Sequence, residues 1–116
     1  MYNQFRLTQQ AAEALANNYG TPLLVLSTRQ IESNYDFLRN HLPGVTIHYA
    51  VKSNPAARIV DTLAQLGSHF DVASDGEMEQ LTAQGVAPER MIGQAVIAKI
   101  PVGGSVTQSL TLDLSR

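Results

Sequence analysis

Strand-like and helix-like segments alternate along most of this chain, with only short connections between them. A helix is predicted at residues 9–18, and apolar or β-branched runs predict strands at 23–26, 45–52 and 69–74. Each of these strands is followed by apolar residues at helical spacing. Because short connections between alternating strands and helices favour parallel βα units, the pattern predicts an α/β fold, as a doubly wound sheet or a barrel.

Capping residues and glycines set the limits of the predicted helices. Ser27 and Gln30 have the spacing of a capping box, and so do Ser74 and Glu77. Asn54 is a favoured N-cap, and the proline after it suits the first helical position. Glycine commonly follows the last turn of a helix, so each helix is expected to end near one. These glycines are Gly44, Gly67 and Gly85.

The regular alternation weakens after residue 88. Residues 91–100 and 105–114 each have the composition of a strand, but only Pro-Val-Gly-Gly at 101–104 separates them. A parallel crossover needs about a dozen residues and usually contains a helix. The two segments are therefore expected either to form an antiparallel hairpin or to have lost the crossover helix between them.

Composition excludes several classes of function. The 116 residues suit one domain, and a net charge of −2 gives no electrostatic reason to expect nucleic acid or a membrane as partner. The absence of cysteine excludes disulfides, thiolate metal sites and cysteine nucleophiles. No metal-ligand spacing links the three histidines, and no signal segment or long apolar run is present. We therefore expect a soluble cytoplasmic domain without a metal.

The chain has two lysines, Lys52 and Lys99, and Lys52 ends a predicted strand. Catalytic groups of α/β barrels gather at the carboxyl ends of the strands. Alternation along the strand would place His48, Ala50 and Lys52 on one face and apolar side chains on the other. If the Lys52 amine is buried, its charged form is disfavoured and the neutral amine can attack a carbonyl. The competing interpretation is a solvated lysine at a strand end.

The segment that carries Lys52 resembles the lysine motif of the fold-type III pyridoxal-phosphate decarboxylases. This family includes the ornithine, lysine, diaminopimelate and carboxynorspermidine decarboxylases. Other segments resemble the family in the same order and at the same spacing, so that the resemblance covers residues 17–92. The matching segments are YGTP at 19–22, YAVKSNP at 49–55, LGSHFDVAS at 66–74, GEME at 76–79 and GVAPERMI at 85–92.

The resemblance implies a fold, a cofactor and a set of site residues. The fold would be the first βα units of a (β/α)8 barrel that binds pyridoxal 5'-phosphate. Lys52 would form the internal aldimine, Ala50 would line the cofactor ring, and Asp71 and Glu77 would stand near both. Glu77 is equally well explained as a capping residue. Asp71 lies in an apolar strand, where a carboxylate is costly unless paired, which favours a role in the site. His48 is equally well explained as a satisfied core or rim histidine and as one that contacts a ligand.

The resemblance weakens after residue 92. Residues 93–99 lack the asparagine-containing turn of the family, and residues 106–113 only faintly resemble its fourth strand. The family's later strands supply the ring-stacking histidine, the acid on the pyridine nitrogen and the phosphate-binding glycines, and none of these can be placed in this chain. An eight-stranded barrel needs about 250 residues. We therefore expect a single partial barrel over residues 1–116, with residues 93–116 divergent.

Three functions follow from this partial resemblance. The first is the lysine module of an amino-acid decarboxylase, with the ornithine/lysine type favoured over the diaminopimelate type. The second is a non-catalytic half-barrel that binds the cofactor or a partner, and the third is an inactive remnant. The partners expected are a small amino-acid substrate and a second copy of the chain, because a half-barrel leaves strand edges and apolar faces to be covered.

Overall fold

The computed structural model describes residues 4–93, which form four helices and three short strands. The strands are each preceded or followed by a helix or a 3-10 turn, as the alternating sequence predicts. In chain order the elements are α1 (Gln9–Tyr19), α2 (Thr28–His41), β1 (His48–Ala50), a 3-10 turn (Val51–Ser53), α3 (Ala57–Gln65), β2 (His69–Val72), α4 (Asp75–Ala83), a second 3-10 turn (Pro88–Arg90) and β3 (Met91–Gly93). None of the helices described in this range is both long and apolar enough to cross a membrane.

The three strands form one parallel sheet in the order β1-β2-β3. Helix α3 connects β1 to β2 and helix α4 connects β2 to β3, which confirms the parallel βα units. The strands are in register across the sheet, with Tyr49 opposite Phe70 and Phe70 opposite Met91. The carboxyl ends of all three strands therefore lie at the same edge of the sheet.

One face of the sheet is covered and the other is open. Phe70 and Met91 point to the covered face and are fully buried, in one apolar cluster with residues of α3 and α4. The ring of Tyr49 meets the ring of Phe70 edge-on, with centroids 6.5 Å apart. On the opposite face, Asp71 and Ile92 are exposed. We call this second surface the open face.

Hydrogen bonds from polar side chains connect α4 to α3 and the start of β3 to the end of α3. The amide of Gln84 donates to the Ala57 carbonyl at 2.9 Å and to the Asp61 carboxylate at 2.7 Å, which ties α4 to α3. Arg90 donates to the carbonyl of Ala64, in the last turn of α3, and to that of Ser68, just after the helix. A cation at a helix C-terminus is electrostatically favourable, so Arg90 fixes the entry to β3 against the end of α3.

Both predicted capping serines act as N-caps. The hydroxyl of Ser27 accepts a hydrogen bond from the Gln30 amide at the start of α2, and that of Ser74 accepts one from the Glu77 amide at the start of α4. The start of α3 differs from the prediction. Asn54 is not its N-cap, because its side-chain oxygen accepts from the Ala56 amide and closes a turn before the helix, which begins at Ala57.

The predicted strands are longer than the observed ones. No strand forms at residues 23–26, whose Leu24 is 75% exposed, because the described sheet ends at β1 and provides this segment no partner. The strand predicted at 45–52 is reduced to 48–50, since the chain turns into a 3-10 turn at Val51. Residues 91–93 form β3, whereas the rest of the strand predicted at 91–100, and all of that at 105–114, lie outside the described residues.

Replacing Gly93 by alanine should destabilise the fold. A β-carbon at Gly93 would overlap the carbonyl oxygen of its sheet partner Val72, so β2 and β3 would have to separate. We expect Gly93→Ala to lower the free energy of unfolding in urea by about 1–3 kcal/mol. The control is Gly76→Ala in α4, where the nearest atom is 4.0 Å away and the change should stabilise by up to about 1 kcal/mol. Equal effects of the two changes would contradict this view of the β2–β3 contact.

Candidate functional site

The candidate site lies at the carboxyl edge of the sheet, where β1 passes into the turn that carries Lys52. We call Val51–Ser53 the lysine turn. Val51 is fully buried in the core cluster, whereas Lys52 is exposed. The buried valine anchors the turn to the covered side, and the lysine amine is left free to reach a ligand at the carboxyl edge.

The exposure of Lys52 corrects one part of the sequence prediction. Alternation predicts one face for His48, Ala50 and Lys52, and the sequence leaves open whether the Lys52 amine is buried or solvated. Strand β1 ends at Ala50, however, and Lys52 belongs to a 3-10 turn. Lys52 therefore departs from the strand alternation and stays in contact with solvent in the described chain.

Ala50 and Asp71 are direct neighbours across the sheet. They are register partners in β1 and β2, and both belong to the open face. Asp71 lies between the buried residues Phe70 and Val72 but is itself exposed, so its carboxylate remains hydrated and needs no buried partner. The predicted cost of burying this carboxylate therefore does not apply within residues 4–93, where the side of β2 that carries Asp71 is exposed, and a site role for Asp71 stays a prediction. The small side chain of Ala50 leaves space beside this carboxylate.

Glu77 stands in the first turn of α4, directly after the carboxyl end of β2. Its carboxylate accepts a hydrogen bond from the Ala73 amide at 2.7 Å, and its own amide donates to the Ser74 hydroxyl at 3.2 Å. The bond to the Ser74 hydroxyl is the one that the predicted capping box requires, but the Glu77 carboxylate accepts from the amide of Ala73, one residue before the N-cap, instead of from that of Ser74. Glu77 thus binds the backbone at the start of α4, and its carboxylate lies at the carboxyl edge of the sheet.

Sequence reasoning missed two side chains that hold the lysine turn. The phenol of Tyr49 donates to the carbonyl of Asn54 at 2.9 Å, and the amide of Gln80 donates to the carbonyl of Pro55 at 2.6 Å. The strand alternation places Tyr49 on the apolar face of the strand and predicts only packing for it. Gln80 is 25 residues from its acceptor, and no local pattern marks a contact over that separation.

The parallel register also joins two of the three histidines. His48 and His69 are partners in β1 and β2, with ring centroids 5.2 Å apart. Burial lowers the pKa of His69 below its ordinary value, and the positive charges of His48 and Arg90 lower it further. Across residues 4–93, no group of three or more potential metal ligands comes together.

Removing the His48 imidazole should raise the pKa of His69. His48→Gln abolishes one of the two charges that oppose protonation of His69, but leaves burial, the largest cause, in place. We expect the His69 pKa to move upward without regaining its ordinary value in an NMR titration. The control is His41→Gln, since His41 lies on α2 and stacks on Phe37. A His69 pKa that responds equally to both changes, or to neither, would contradict the His48–His69 coupling.

Comparison with known proteins identifies this arrangement. Residues 28–99, more than half of the chain, match the family model described as the pyridoxal binding domain of pyridoxal-dependent decarboxylases. The chain is 50% identical over 88 residues to the lysine/ornithine decarboxylase of Selenomonas ruminantium, covering 76% of this chain and 22% of that protein. It is 41% identical over 85 residues to the diaminopimelate decarboxylase of Vibrio cholerae, covering 71% and 20%.

The fold is similar to that of a solved decarboxylase. The crystal structure of lysine decarboxylase from Selenomonas ruminantium superposes with a TM-score of 0.78 and 45% identity, over 84% of this chain and 26% of that one. The parallel units are thus the first βα units of a pyridoxal-phosphate-binding barrel, as the sequence predicted. The chain belongs to the pyridoxal-dependent decarboxylase family, whose cofactor is pyridoxal phosphate. It spans about a fifth of the length of the curated relatives it matches.

Proposed function

We propose that this chain is the cofactor-lysine module of an amino-acid decarboxylase and that Lys52 bonds covalently to pyridoxal phosphate. The observation that carries the proposal is the position of Lys52, exposed at the carboxyl edge of β1 and within the matched pyridoxal binding domain. There the amine can condense with the cofactor aldehyde, with release of water. When bound, pyridoxal phosphate supplies an electron sink for the carbanion that decarboxylation leaves.

The neighbouring residues fit the cofactor by size and chemistry. We assign Ala50 to the side of the cofactor ring, because its small side chain leaves room on the open face. We assign the carboxylates of Asp71 and Glu77 to orienting the lysine amine and the cofactor. Asp71 is hydrated and adjacent to Ala50, and Glu77 is fixed by the Ala73 amide. The assigned module extends over residues 1–116 as one partial barrel, with residues 93–116 divergent.

The substrate class proposed is a basic amino acid with an amine tail, lysine or ornithine. Identity to the lysine/ornithine decarboxylase is 50%, against 41% to the diaminopimelate decarboxylase over a similar length. Decarboxylation of such substrates yields diamines, which would place the activity in cytoplasmic polyamine biosynthesis. The net charge of −2 supports neither nucleic acid nor an anionic membrane as a further partner.

A second candidate is an association or cofactor-binding module without turnover. The observation in its favour is the open face, on which Asp71 and Ile92 are exposed in the described chain. Because electrostatic catalysis is strongest in sites that exclude water, an exposed face favours binding over turnover. Both candidates are compatible with a covalent bond between Lys52 and the cofactor and with association through the exposed surface. Only the decarboxylase predicts turnover of a substrate.

Cofactor attachment should depend on Lys52 alone. We expect pyridoxal phosphate to add an absorbance band at about 420 nm, as a protonated imine does, and borohydride to fix the reduced cofactor on the Lys52 peptide. Lys52→Ala should abolish both signals, whereas the control Lys99→Ala should retain them. Labelling that survives Lys52→Ala, or is shared with Lys99 and the amino terminus, would overturn the assignment. Carbon dioxide release from lysine or ornithine would then separate the decarboxylase from the non-catalytic module.

We also propose that the chain associates as a homodimer through the free edge of β1. An apolar groove of about 350 Å³ runs beside this edge, and Leu26, Ile31 and Ile47 are among its lining residues. The neighbouring Leu24 is 75% exposed. Unpaired strand edges and adjacent apolar surface favour association, and a second copy would supply both a strand and apolar side chains.

Charge at Leu24 should weaken that association. We expect the unmodified chain to sediment at twice the mass of one chain, and Leu24→Lys to shift it toward the monomer because a lysine opposes burial of this surface. Tyr19→Lys is the control, since Tyr19 is equally exposed, at 73%, but lies at the end of α1. A compact, stable monomer of the unmodified chain would exclude the homodimer.

A further inference from the structure

The two backbone carbonyls that directly follow the lysine turn each accept a hydrogen bond from a side chain, and the two donors belong to different elements. The Asn54 carbonyl accepts from Tyr49 of β1, and the Pro55 carbonyl accepts from Gln80 of α4. The side-chain oxygen of Asn54 also accepts from the Ala56 amide. The segment that leaves the turn is therefore bound to the strand before it and to the next helix along the chain.

The hydrogen bond from the Tyr49 phenol connects the two ends of the lysine turn. Tyr49 and Asn54 flank the turn at Val51–Ser53, so the phenol bridges the chain just before and just after Lys52. The ring cannot move freely, because it packs edge-on against the fully buried Phe70. Burial also raises the pKa of the Tyr49 phenol, which even at its ordinary value would be protonated and able to donate at neutral pH.

The Gln80 bond extends into a chain of amides between α4 and the start of α3. Gln80 donates to the Pro55 carbonyl and to the side-chain oxygen of Gln84, at 2.6 Å and 2.9 Å. Gln84 in turn donates to the Ala57 carbonyl and the Asp61 carboxylate. Both hydrogens of each amide can thus be used, so the position of the Pro55 carbonyl is coupled to the packing of α3 against α4.

We propose that Tyr49 and Gln80 are positioning residues that hold the lysine turn in the geometry at which the Lys52 amine meets the cofactor aldehyde. This inference rests on the proposed function of Lys52. Neither side chain is needed to touch the cofactor: Tyr49 fixes the turn to the sheet, and Gln80 fixes it to α4. Holding reacting groups in place contributes strongly to rate, and small misplacements of a reactive group are costly.

The test removes each donor while keeping the side chain's bulk. Tyr49→Phe deletes only the phenol oxygen, and Gln80→Met replaces the amide by an apolar chain of similar length on the surface of α4. Tyr35→Phe is the matched control, because Tyr35 is a buried tyrosine of the same core that lies on α2 and forms no hydrogen bond with residues 51–55. For each variant we would measure the rate and equilibrium of cofactor attachment to Lys52, the hydrogen exchange of amides 51–56, and the free energy of unfolding.

We expect Tyr49→Phe and Gln80→Met each to weaken attachment at Lys52 by about two- to tenfold, the range of one net hydrogen bond. Hydrogen exchange of residues 51–56 should rise in both variants, and Tyr35→Phe should change neither quantity even if it lowers stability. Attachment and exchange equal to those of Tyr35→Phe would overturn the positioning roles and leave the function of Lys52 standing. Absence of attachment to Lys52 in the unmodified chain would instead overturn the proposed function, and the positioning roles with it.

Discussion

The parallel pairing of β2 with both of its neighbours is the constraint on which the described structure depends. β2 is the central strand, and Phe70, fully buried, packs its covered face against the helices and meets the ring of Tyr49 from β1. Because β1 and β3 are both aligned against β2, their carboxyl ends fall at one edge. That alignment brings the lysine turn, Asp71 and the start of α4 into the same region.

Because the sheet has a covered face and an open face, three short strands can contribute to a buried core and still present exposed side chains to solvent. Buried apolar residues form one side, whereas the other side is exposed in the described chain and carries both a carboxylate, Asp71, and an apolar residue, Ile92. The lysine turn contributes to both, because Val51 is buried in the core and Lys52 is exposed to solvent. The turn therefore combines a backbone fixed by the core with an accessible amine.

Much of the local structure was predictable from residues a few positions apart. The caps at Ser27 and Ser74 follow from hydroxyl groups three residues before a backbone amide that they can reach. The apolar runs located all three observed strands, but not their lengths. Strand length depends on pairing, and residues 23–26, which are apolar enough for a strand, form none in the described chain because the sheet ends at β1.

The sequence by itself determined the order of helices and strands, the family resemblance and the place of Lys52 after a strand, because each depends on short-range spacing. Only the tertiary structure decided which side chains meet. The pairs Ala50–Asp71 and His48–His69 come from the sheet register, and the bond from Gln80 to Pro55 from the packing of α4 beside α3. These partners are more than twenty residues apart, and their contacts depend on how strands align and helices pack, which no local pattern encodes.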